Sequence, residues 1–404
     1  HWPFKQHKTS RNQIILPYQE ELKKLGACFG TSGGFERPMW YALKGERADY
    51  KYSFGYQNWY PSAEYETKNT RENVGLFELS PFSKFDLEGQ NVHEELQKIC
   101  TANIKDIEGR ATYTQMLNED GGIETDVTIT CLKKNHFRVI GPAATREHDK
   151  FHIKKHISEE VNFKDVTEDL TCLGLYGPNS RKLLSNISND DFTNEGIKFS
   201  HGKFVTIDGV KVWAQRLSYV GEIGFELYTN IDESKKLFLA IIKEGKNHGL
   251  SLCGAHAMDI MRMESGFLHW GHDISPEENQ YQAGLNFAIS YKKNINFVGK
   301  EALLKIKDQN PTKSLAMMVL KDNRPGEPLL LHEEPIYLDD KIIGRTTSGN
   351  YSFNFKKNIS FGYVNSGNSI EDLINKNLSI EVEKKKYPVT IIKKPLNQKN
   401  IKDI

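Results

Sequence analysis

Cysteine is scarce in this chain and forms no pattern. The 404 residues include five cysteines, an odd number, and no two form a Cys-x-x-Cys pair. This excludes a regular disulfide framework and the usual spacing of a zinc site. Scattered thiols of this kind are typical of small apolar side chains in a reducing compartment. We therefore expect a cytoplasmic protein, or a mitochondrial matrix protein if the source is eukaryotic.

The chain also lacks an excess of either charge and any long apolar run. Its 54 basic and 53 acidic residues give a net charge of +1, so we expect neither nucleic acid nor a membrane as a partner. No apolar run approaches the ~18 residues that cross a bilayer. With 38% apolar and 26% charged residues, a chain of this length is expected to form two or three domains.

Motifs that bind nucleotides are absent as well. There is no G-x-G-x-x-G and no phosphate loop, and the glycine cluster at 30–34 has the wrong spacing and follows no apolar strand. We expect no FAD site in this chain, so a flavin would have to lie on another polypeptide or on a missing region. The chain begins at His1 with no initiator Met and no secretory pattern. This indicates a fragment or a processed chain, with a tag remnant as the alternative.

Periodicity predicts an irregular mixture of helices and strands, followed by short strands. Helical spacing covers residues 18–28, 92–100, 145–156, 232–248 and 253–264, the last ended by Gly266. A hairpin is expected over 112–132, and two strands over 203–228 that turn at Asp208 and Gly209. Such mixing favours an α+β fold. Beyond a boundary at 308–314, repeated short strands favour a small β-barrel or sandwich.

Two short segments place a carboxylate beside glycines in strand-like surroundings. In the first, 121–127, strand alternation puts Asp126 on the face opposite Thr125 and Val127. If that second face is core, Asp126 points into a cleft or into solvent. It is then either an exposed strand carboxylate or a group that accepts a proton from, or orients, a weakly basic amine.

The second segment, 218–227, carries Glu222 between Gly221 and Gly224. These glycines would let another backbone or a flat ligand approach closely. The two acceptor oxygens of a carboxylate match two parallel N–H donors, such as the edge of a pterin or guanine ring. The alternative is a turn carboxylate paired with a lysine.

Other candidates are a buried arginine and two groups of histidines. Arg262 either pairs with Asp259 or Glu264 on its helix or binds a ligand carboxylate bidentately. His148, His152 and His156 share a helix face, but with no nearby carboxylate or cysteine we expect no metal site. His269 and His272 fall in a candidate cleft loop and remain ambiguous. No serine or cysteine has the context of a nucleophile.

Taken in order, these segments resemble the tetrahydrofolate-dependent aminomethyltransferases, the glycine-cleavage T-protein family. The family has a Gly-Gly-x-x-x-Asp strand, a Tyr-x-Gly-Glu-x-Gly-x-Glu strand and an Arg-x-Glu-x-Gly helix end, matched here at 121–126, 219–226 and 262–266. The resemblance is closer still to the C-terminal folate half of dimethylglycine and sarcosine dehydrogenases. It includes His1-Trp2-Pro3-Phe4, 35–40, 53–59 and 269–274, and runs over essentially the whole chain.

The resemblance implies two related α+β lobes around a central folate channel plus a C-terminal β-barrel. It assigns 1–45 to an N-terminal linker from a flavin domain, 46–307 to the folate-binding domain and 308–404 to the barrel. It implies that Asp126 is catalytic. It also implies that four other residues bind tetrahydrofolate: Glu222 at the pterin edge, Tyr113 and Tyr219 in the channel, and Arg262 after the second lobe.

The function that the resemblance implies is one-carbon transfer to tetrahydrofolate from an N-methyl amine oxidised by a flavin domain or subunit, giving 5,10-methylenetetrahydrofolate. Flavin-independent methyl transfer from a small methylated amine or sulfonium is an alternative. A T-protein role and a non-catalytic folate-binding module are two others. T-proteins have a second aspartate where this chain has Thr125, which makes the T-protein role the less favoured one.

Overall fold

A computed structural model of the chain describes residues 6–365 and 370–402. The resemblance at His1-Trp2-Pro3-Phe4 lies outside the described residues. The helices are α1 Gln19–Lys24, α2 Tyr60–Glu72, α3 Val92–Ile99, α4 Arg146–His156, α5 Ser180–Asn186, α6 Ile231–Gly245, α7 Ala255–Glu264, α8 Lys300–Ile306 and α9 Ile370–Leu373. The strands are β1 Ala27–Ser32, β2 Phe35–Tyr41, β3 Val74–Glu78, β4 Ser83–Glu88, β5 Ala111–Leu117, β6 Ile123–Lys133, β7 His136–Gly141, β8 Asn162–Asp165, β9 Leu170–Tyr176, β10 Gly202–Ile207, β11 Val210–Gln215, β12 Gly224–Asn230, β13 Leu250–Cys253, β14 Lys313–Leu320, β15 Pro335–Leu338, β16 Lys341–Ser352, β17 Lys357–Asn365, β18 Leu378–Val382 and β19 Lys385–Ile392.

The first lobe is an antiparallel five-stranded sheet in the order β5-β6-β7-β4-β8, packed against α3 and α4. The alternation of apolar and polar side chains along β6 determines which face of the sheet packs against the helices. Ile123, Val127 and Ile129 are buried, whereas Glu124 and Asp126 are only partly covered. The apolar face binds the helices through the hydrophobic effect, and the polar face is left toward the rest of the molecule.

The second lobe is a six-stranded sheet in the order β10-β11-β12-β9-β3-β13, in which only the β13 and β3 pair is parallel among the described strands. The hairpin β1–β2 and α1 join its core through Leu16, Tyr18, Leu22 and Phe35. The described part of the predicted linker 1–45 is therefore packed onto this lobe. The division between residues 45 and 46 stays a prediction.

The C-terminal part is a closed six-stranded barrel in the order β14-β17-β16-β15-β18-β19. Its interior is lined by alternate apolar residues such as Met318, Ile336, Ile380 and Val389. Closure pairs both edges of the sheet and leaves none exposed. The predicted α+β fold with a small C-terminal β-barrel is confirmed, and of the two all-β alternatives the barrel is the one formed.

Two local predictions were wrong. The 203–228 segment contains three strands rather than two, because the stretch after Gln215 bends before β12 begins at Gly224. Gly221 there has φ +68, and a Cβ on it would lie 2.0 Å from Ser265 Oγ, so the chain turns where an extended strand was expected. The helix predicted over 18–28 ends at Lys24, and Gly26 at φ +89 leads into β1.

Candidate functional site

Asp126 is held in one orientation by a chain of buried amides. It lies opposite Gln115 across the β5–β6 ladder, and Gln115 Nε2 donates to Asp126 Oδ1 at 2.6 Å. Gln280 Nε2 in turn donates to Gln115 Oε1 at 2.6 Å. Both glutamines are fully buried. Because the Gln115 oxygen is taken by Gln280, its amide nitrogen is directed at the Asp126 carboxylate.

The surroundings of Asp126 raise the pKa of its carboxyl group. Desolvation raises the pKa of Asp126 to about 6, against the hydrogen bonds of Gln115 and Tyr113, which lower it. The negative charge of Asp149 raises it further. A carboxylate of this kind is ionised at neutral pH and accepts a proton more readily than an ordinary aspartate. This is the property that a general base or a proton-accepting group needs.

Side chains around Asp126 line an internal cleft. Tyr113 is 39% exposed and the Asp259 side chain is 40% exposed, yet desolvation is the largest influence on the pKa of both. A group that water reaches, but that protein surrounds on most sides, lies in a cleft rather than on the outer surface. Tyr219 feels the charges of Asp126 and Asp259, and its hydroxyl donates to the Leu268 carbonyl at 2.7 Å. The structure therefore brings Asp126, Tyr113 and Tyr219 together.

A small cavity, with room for about one water molecule, lies along the same face of β6. Thr128 and Thr130, two and four residues after Asp126, form one side of it. Strands β11 and β12 of the second lobe form the other side, so the cavity lies between the two lobes. Its lining is Thr128, Thr130, Leu132, Arg138, Ile140, Trp213, Gln215, Leu217, Glu226 and Tyr228.

Two polar groups line this cavity, a carboxylate that accepts hydrogen bonds and an amide nitrogen that donates them. Desolvation raises the pKa of Glu226, whose Oε2 accepts the Tyr228 hydroxyl at 2.6 Å. The carboxylate has further lone pairs for N–H donors. Gln215 Nε2 is buried with no hydrogen-bond partner in the described structure. A buried donor without an acceptor is costly, so a ligand oxygen would satisfy it.

The sequence analysis did not name Glu226 among its candidate site residues. Phe225 and Leu227 are buried in the apolar core of the second lobe, so alternation places Glu226 on the opposite face of β12. The same argument that drew attention to Asp126 would have selected it. The prediction instead fell on Glu222, four residues earlier.

Glu222 lies outside this cavity, in the bend before β12. Its side chain is 2% exposed and pairs with Arg71 at 3.1 Å and with Lys399 at 2.6 Å. Arg71 also pairs with Glu264 at 2.6 Å. Among the described contacts none joins Glu222 to Asp126. The pairing with a lysine that the sequence analysis considered is present, in a cluster of ion pairs, and folate binding by Glu222 stays a prediction.

Arg262 is also fully engaged within the protein. Its side chain is 3% exposed, Nε contacts Asp259 Oδ1 at 2.8 Å and Nη1 contacts Asp273 Oδ2 at 2.5 Å. Nη2 donates to Ser348 Oγ of β16 at 2.9 Å. These contacts join α7 to the barrel and to the 267–273 loop, which carries the Leu268 carbonyl that Tyr219 contacts. Arg262 therefore borders the cleft as a structural connection.

The histidines pair with each other and with carboxylates. His148 contacts Glu124 at 2.9 Å and Asp149 at 3.2 Å, so carboxylates do lie near, contrary to the expectation. Even so, the described part of the chain holds no group of three or more His, Cys, Asp or Glu side chains arranged for a metal ion. His269 and His272 lie 4.8 Å apart between ring centroids, and desolvation lowers the pKa of His269 to about 4. His269 is thus neutral at physiological pH.

Comparison with known protein families shows to which family this chain belongs. Residues 18–293 match the GCVT N-terminal domain and residues 313–397 match the glycine cleavage T-protein C-terminal barrel domain. The chain belongs to the glycine cleavage T-protein family, as its motifs indicated. No helix in the described ranges is both long enough and apolar enough to cross a membrane.

Individual relatives show which proteins this chain resembles in sequence and in fold. The chain is 36% identical over 396 residues to 4-methylaminobutanoate oxidase (formaldehyde-forming) of Paenarthrobacter nicotinovorans, covering 98% of this chain and 47% of that protein. It is 31% identical over 372 residues to mitochondrial dimethylglycine dehydrogenase of Rattus norvegicus, covering 91% and 42%. The chain thus spans about half the length of these curated relatives. The structure of glycine cleavage system aminomethyltransferase T from Bartonella henselae shares the fold, with a TM-score of 0.81, 22% identity and coverage of 95% and 98%.

Proposed function

We propose that this chain is the folate-binding half of an enzyme that oxidises an N-methylated amino acid, and that it transfers the one-carbon unit to tetrahydrofolate to give 5,10-methylenetetrahydrofolate. The observation that carries the proposal is Asp126, an oriented carboxylate with a raised pKa beside the cleft that Tyr113 and Tyr219 line. The two relatives bear the names of enzymes for 4-methylaminobutanoate and dimethylglycine, both N-methylated amino acids.

Some residues of the site would anchor tetrahydrofolate, and others would transfer a proton. Tetrahydrofolate, when bound, supplies nucleophilic amines that take up the one-carbon unit. The pterin ring would widen the small cavity between the lobes, where Glu226 would accept N–H donors from the pterin edge and Gln215 Nε2 would donate to its carbonyl oxygen. Asp126 would accept the proton that a folate amine releases, and Gln115 keeps its carboxylate oriented. Positive charge that develops beside Asp126 would be stabilised by its ionised form.

The cleft would also control water and escape of the one-carbon unit. Tyr113 and Tyr219 form its wall, and Phe287 lies over Tyr113 with 6.4 Å between ring centroids. Enclosure of this kind limits hydrolysis of reactive species. A flavin domain or subunit would generate the one-carbon unit, so the whole enzyme would be an oxidoreductase only when joined to it.

Aminomethyl transfer from a carrier protein is a second candidate, favoured by membership of the T-protein family. Thr125, which replaces the second aspartate of T-proteins, is buried on the apolar face of β6. That position carries no charge toward the cleft in this chain. Failure of the chain to act on an aminomethylated carrier would leave the amino-acid-oxidising role as the candidate.

Calorimetric titration of tetrahydrofolate under anaerobic conditions tests the proposal. We expect micromolar binding to the wild-type chain and at least tenfold weaker binding to Glu226→Gln, a change of about 1.4 kcal/mol. Glu222→Gln is the matched control, because it alters a buried glutamate outside the cavity and should keep the folate affinity. No binding by the wild type would contradict the proposal, and equal loss in both variants would contradict the assignment of Glu226.

A further inference from the structure

Among the residues that the structure describes, none provides a nitrogen or oxygen acceptor for the guanidinium of Arg37 on β2. Its Nη2 contacts only the thioether sulfur of Met258, at 3.7 Å, and its Nε is buried without a partner. No Asp or Glu oxygen in residues 6–365 and 370–402 lies within 4.0 Å of its guanidinium nitrogens. A guanidinium has five N–H donors and remains protonated in proteins. Arg37 is therefore a half-buried cation whose donors are left for something else.

The two nearest acids are already engaged. Asp259 accepts from Arg262 Nε at 2.8 Å and from Asn350 Nδ2 at 3.0 Å. Glu78 accepts from the Tyr18 hydroxyl and from the backbone N–H of Ser80 at 2.6 Å. Their charges favour the protonated form of Arg37, while desolvation, the larger influence, lowers its pKa. Neither acid contacts the guanidinium, so their charges offset only part of the free-energy cost of burying the Arg37 cation.

The position of Arg37 connects it to the cleft. Its charge interacts with Tyr219, and Tyr219 also feels the charge of Asp126. Met258, which Arg37 Nη2 contacts, packs in the same apolar cluster as Tyr219 and precedes Asp259, which lines the cleft. Its neighbour on the strand, Glu36, is occupied on the other face of β2 by Arg11 at 2.5 Å. Arg37 thus presents an unmatched positive charge on the cleft side of the strand.

We propose that Arg37 binds a carboxylate of a ligand that enters the cleft beside Asp126. The two parallel N–H donors of a guanidinium match the two oxygens of a carboxylate. Resting on the proposed function, this carboxylate has two possible sources. One is the glutamyl tail of tetrahydrofolate and the other is the carboxylate of the N-methylated amino acid. In either case Arg37 determines which ligands are accepted.

Calorimetry with chosen probes separates the two sources. The probes are 5-formyltetrahydrofolate, 5-formyltetrahydropteroate, which lacks the glutamyl tail, and the amino acids dimethylglycine and 4-methylaminobutanoate. If Arg37 holds the folate tail, Arg37→Met should weaken 5-formyltetrahydrofolate at least tenfold and leave the pteroate unchanged. If it holds the amino acid, the same variant should keep both folate affinities and lose amino-acid binding tenfold or more. Arg37→Lys should retain part of the lost affinity.

A stability measurement and a control variant distinguish ligand binding by Arg37 from a purely structural effect of its substitution. Removal of an uncompensated cation should leave the unliganded Arg37→Met chain at least as stable to urea as the wild type. Arg181→Met is the matched control, since Arg181 is also desolvated and contacts only the Asn194 amide oxygen, with no described contact to Asp126. That variant should bind every probe as the wild type does.

Several outcomes would overturn the inference. Probe binding that is unchanged in Arg37→Met would contradict it and leave the folate proposal standing. Amino-acid binding that depends on Arg37, with no folate binding in the wild type, would contradict the folate proposal alone. A wild-type chain that binds none of the probes would contradict both.

Discussion

At the scale of single residues, the raised pKa of Asp126 predicts a pH dependence. The carboxylate is the active form in our proposal, and its pKa of about 6 lies above the ordinary aspartate value of 3.8. Activity should therefore be constant above this pKa and fall as the pH decreases through about 6. Asp126→Asn should lower turnover ~10²–10⁴-fold, the usual contribution of a positioned acid–base group, and abolish the acid limb. Initial rates of one-carbon transfer to tetrahydrofolate between pH 5 and 8 would measure this.

Gln115→Met provides a control for that assignment. The hydrogen bond from Gln115 lowers the pKa of Asp126, so its loss should move the acid limb above pH 6 while folate affinity is kept. If the acid limb of the pH–rate profile does not move in Gln115→Met, or persists in Asp126→Asn, a group other than Asp126 causes it.

At the scale of elements, Arg262 joins α7 to the barrel and to the 267–273 loop. Asp273 is fully buried and accepts from Arg262, from the Thr347 hydroxyl at 2.6 Å and from the Ser348 hydroxyl at 2.8 Å. Arg262→Met would leave this carboxylate without its cation. Breaking a buried ion pair from one side costs about 3–5 kcal/mol, so we expect a loss of that order in the free energy of unfolding by urea. Arg324→Gln, an exposed arginine of the barrel region, should change it by less than ~0.5 kcal/mol.

The elements also show what the sequence could predict. The β5–β6 hairpin and the end of α7 at Glu264, shortly before Gly266, followed from alternation, turn residues and a glycine, all of which are local signals. The extra strand β12 was not separated from β11, because the contacts that turn the chain at Gly221 come from Ser265 and Asn397, far away in sequence. For the same reason the ion pairs of Glu222 could not be predicted from its local sequence. Its partners, Arg71 and Lys399, come from opposite ends of the chain.

At the scale of the whole molecule, the segment after the barrel returns to the second lobe. Asn397 donates its backbone N–H to the Glu264 carbonyl and its side chain to the Gly221 carbonyl, both at 2.8 Å. Lys399 then completes the cluster in which Arg71 and Lys399 balance Glu222 and Glu264. The barrel, α2, α7 and the bend before β12 therefore meet at one buried, charge-balanced point. This point fixes how the segment after the barrel packs against the second lobe.

A chain ending at Leu396 tests this connection. Without residues 397–404, two buried carboxylates share Arg71, and the Gly221 carbonyl loses the Asn397 donor while Arg71 Nη1 still donates to it at 3.1 Å. Arg216 also loses its acceptors at the Ile401 and Lys402 carbonyls. We therefore expect about 1–3 kcal/mol lower stability to urea. We also expect faster proteolysis between Gln215 and Gly224. A double-mutant cycle with Glu222→Gln locates the cause, since neutralising Glu222 should be less costly in the shortened chain than in the full one. Strictly additive effects would instead show that Lys399 and Glu222 do not stabilise each other, and that the segment acts through its backbone contacts alone.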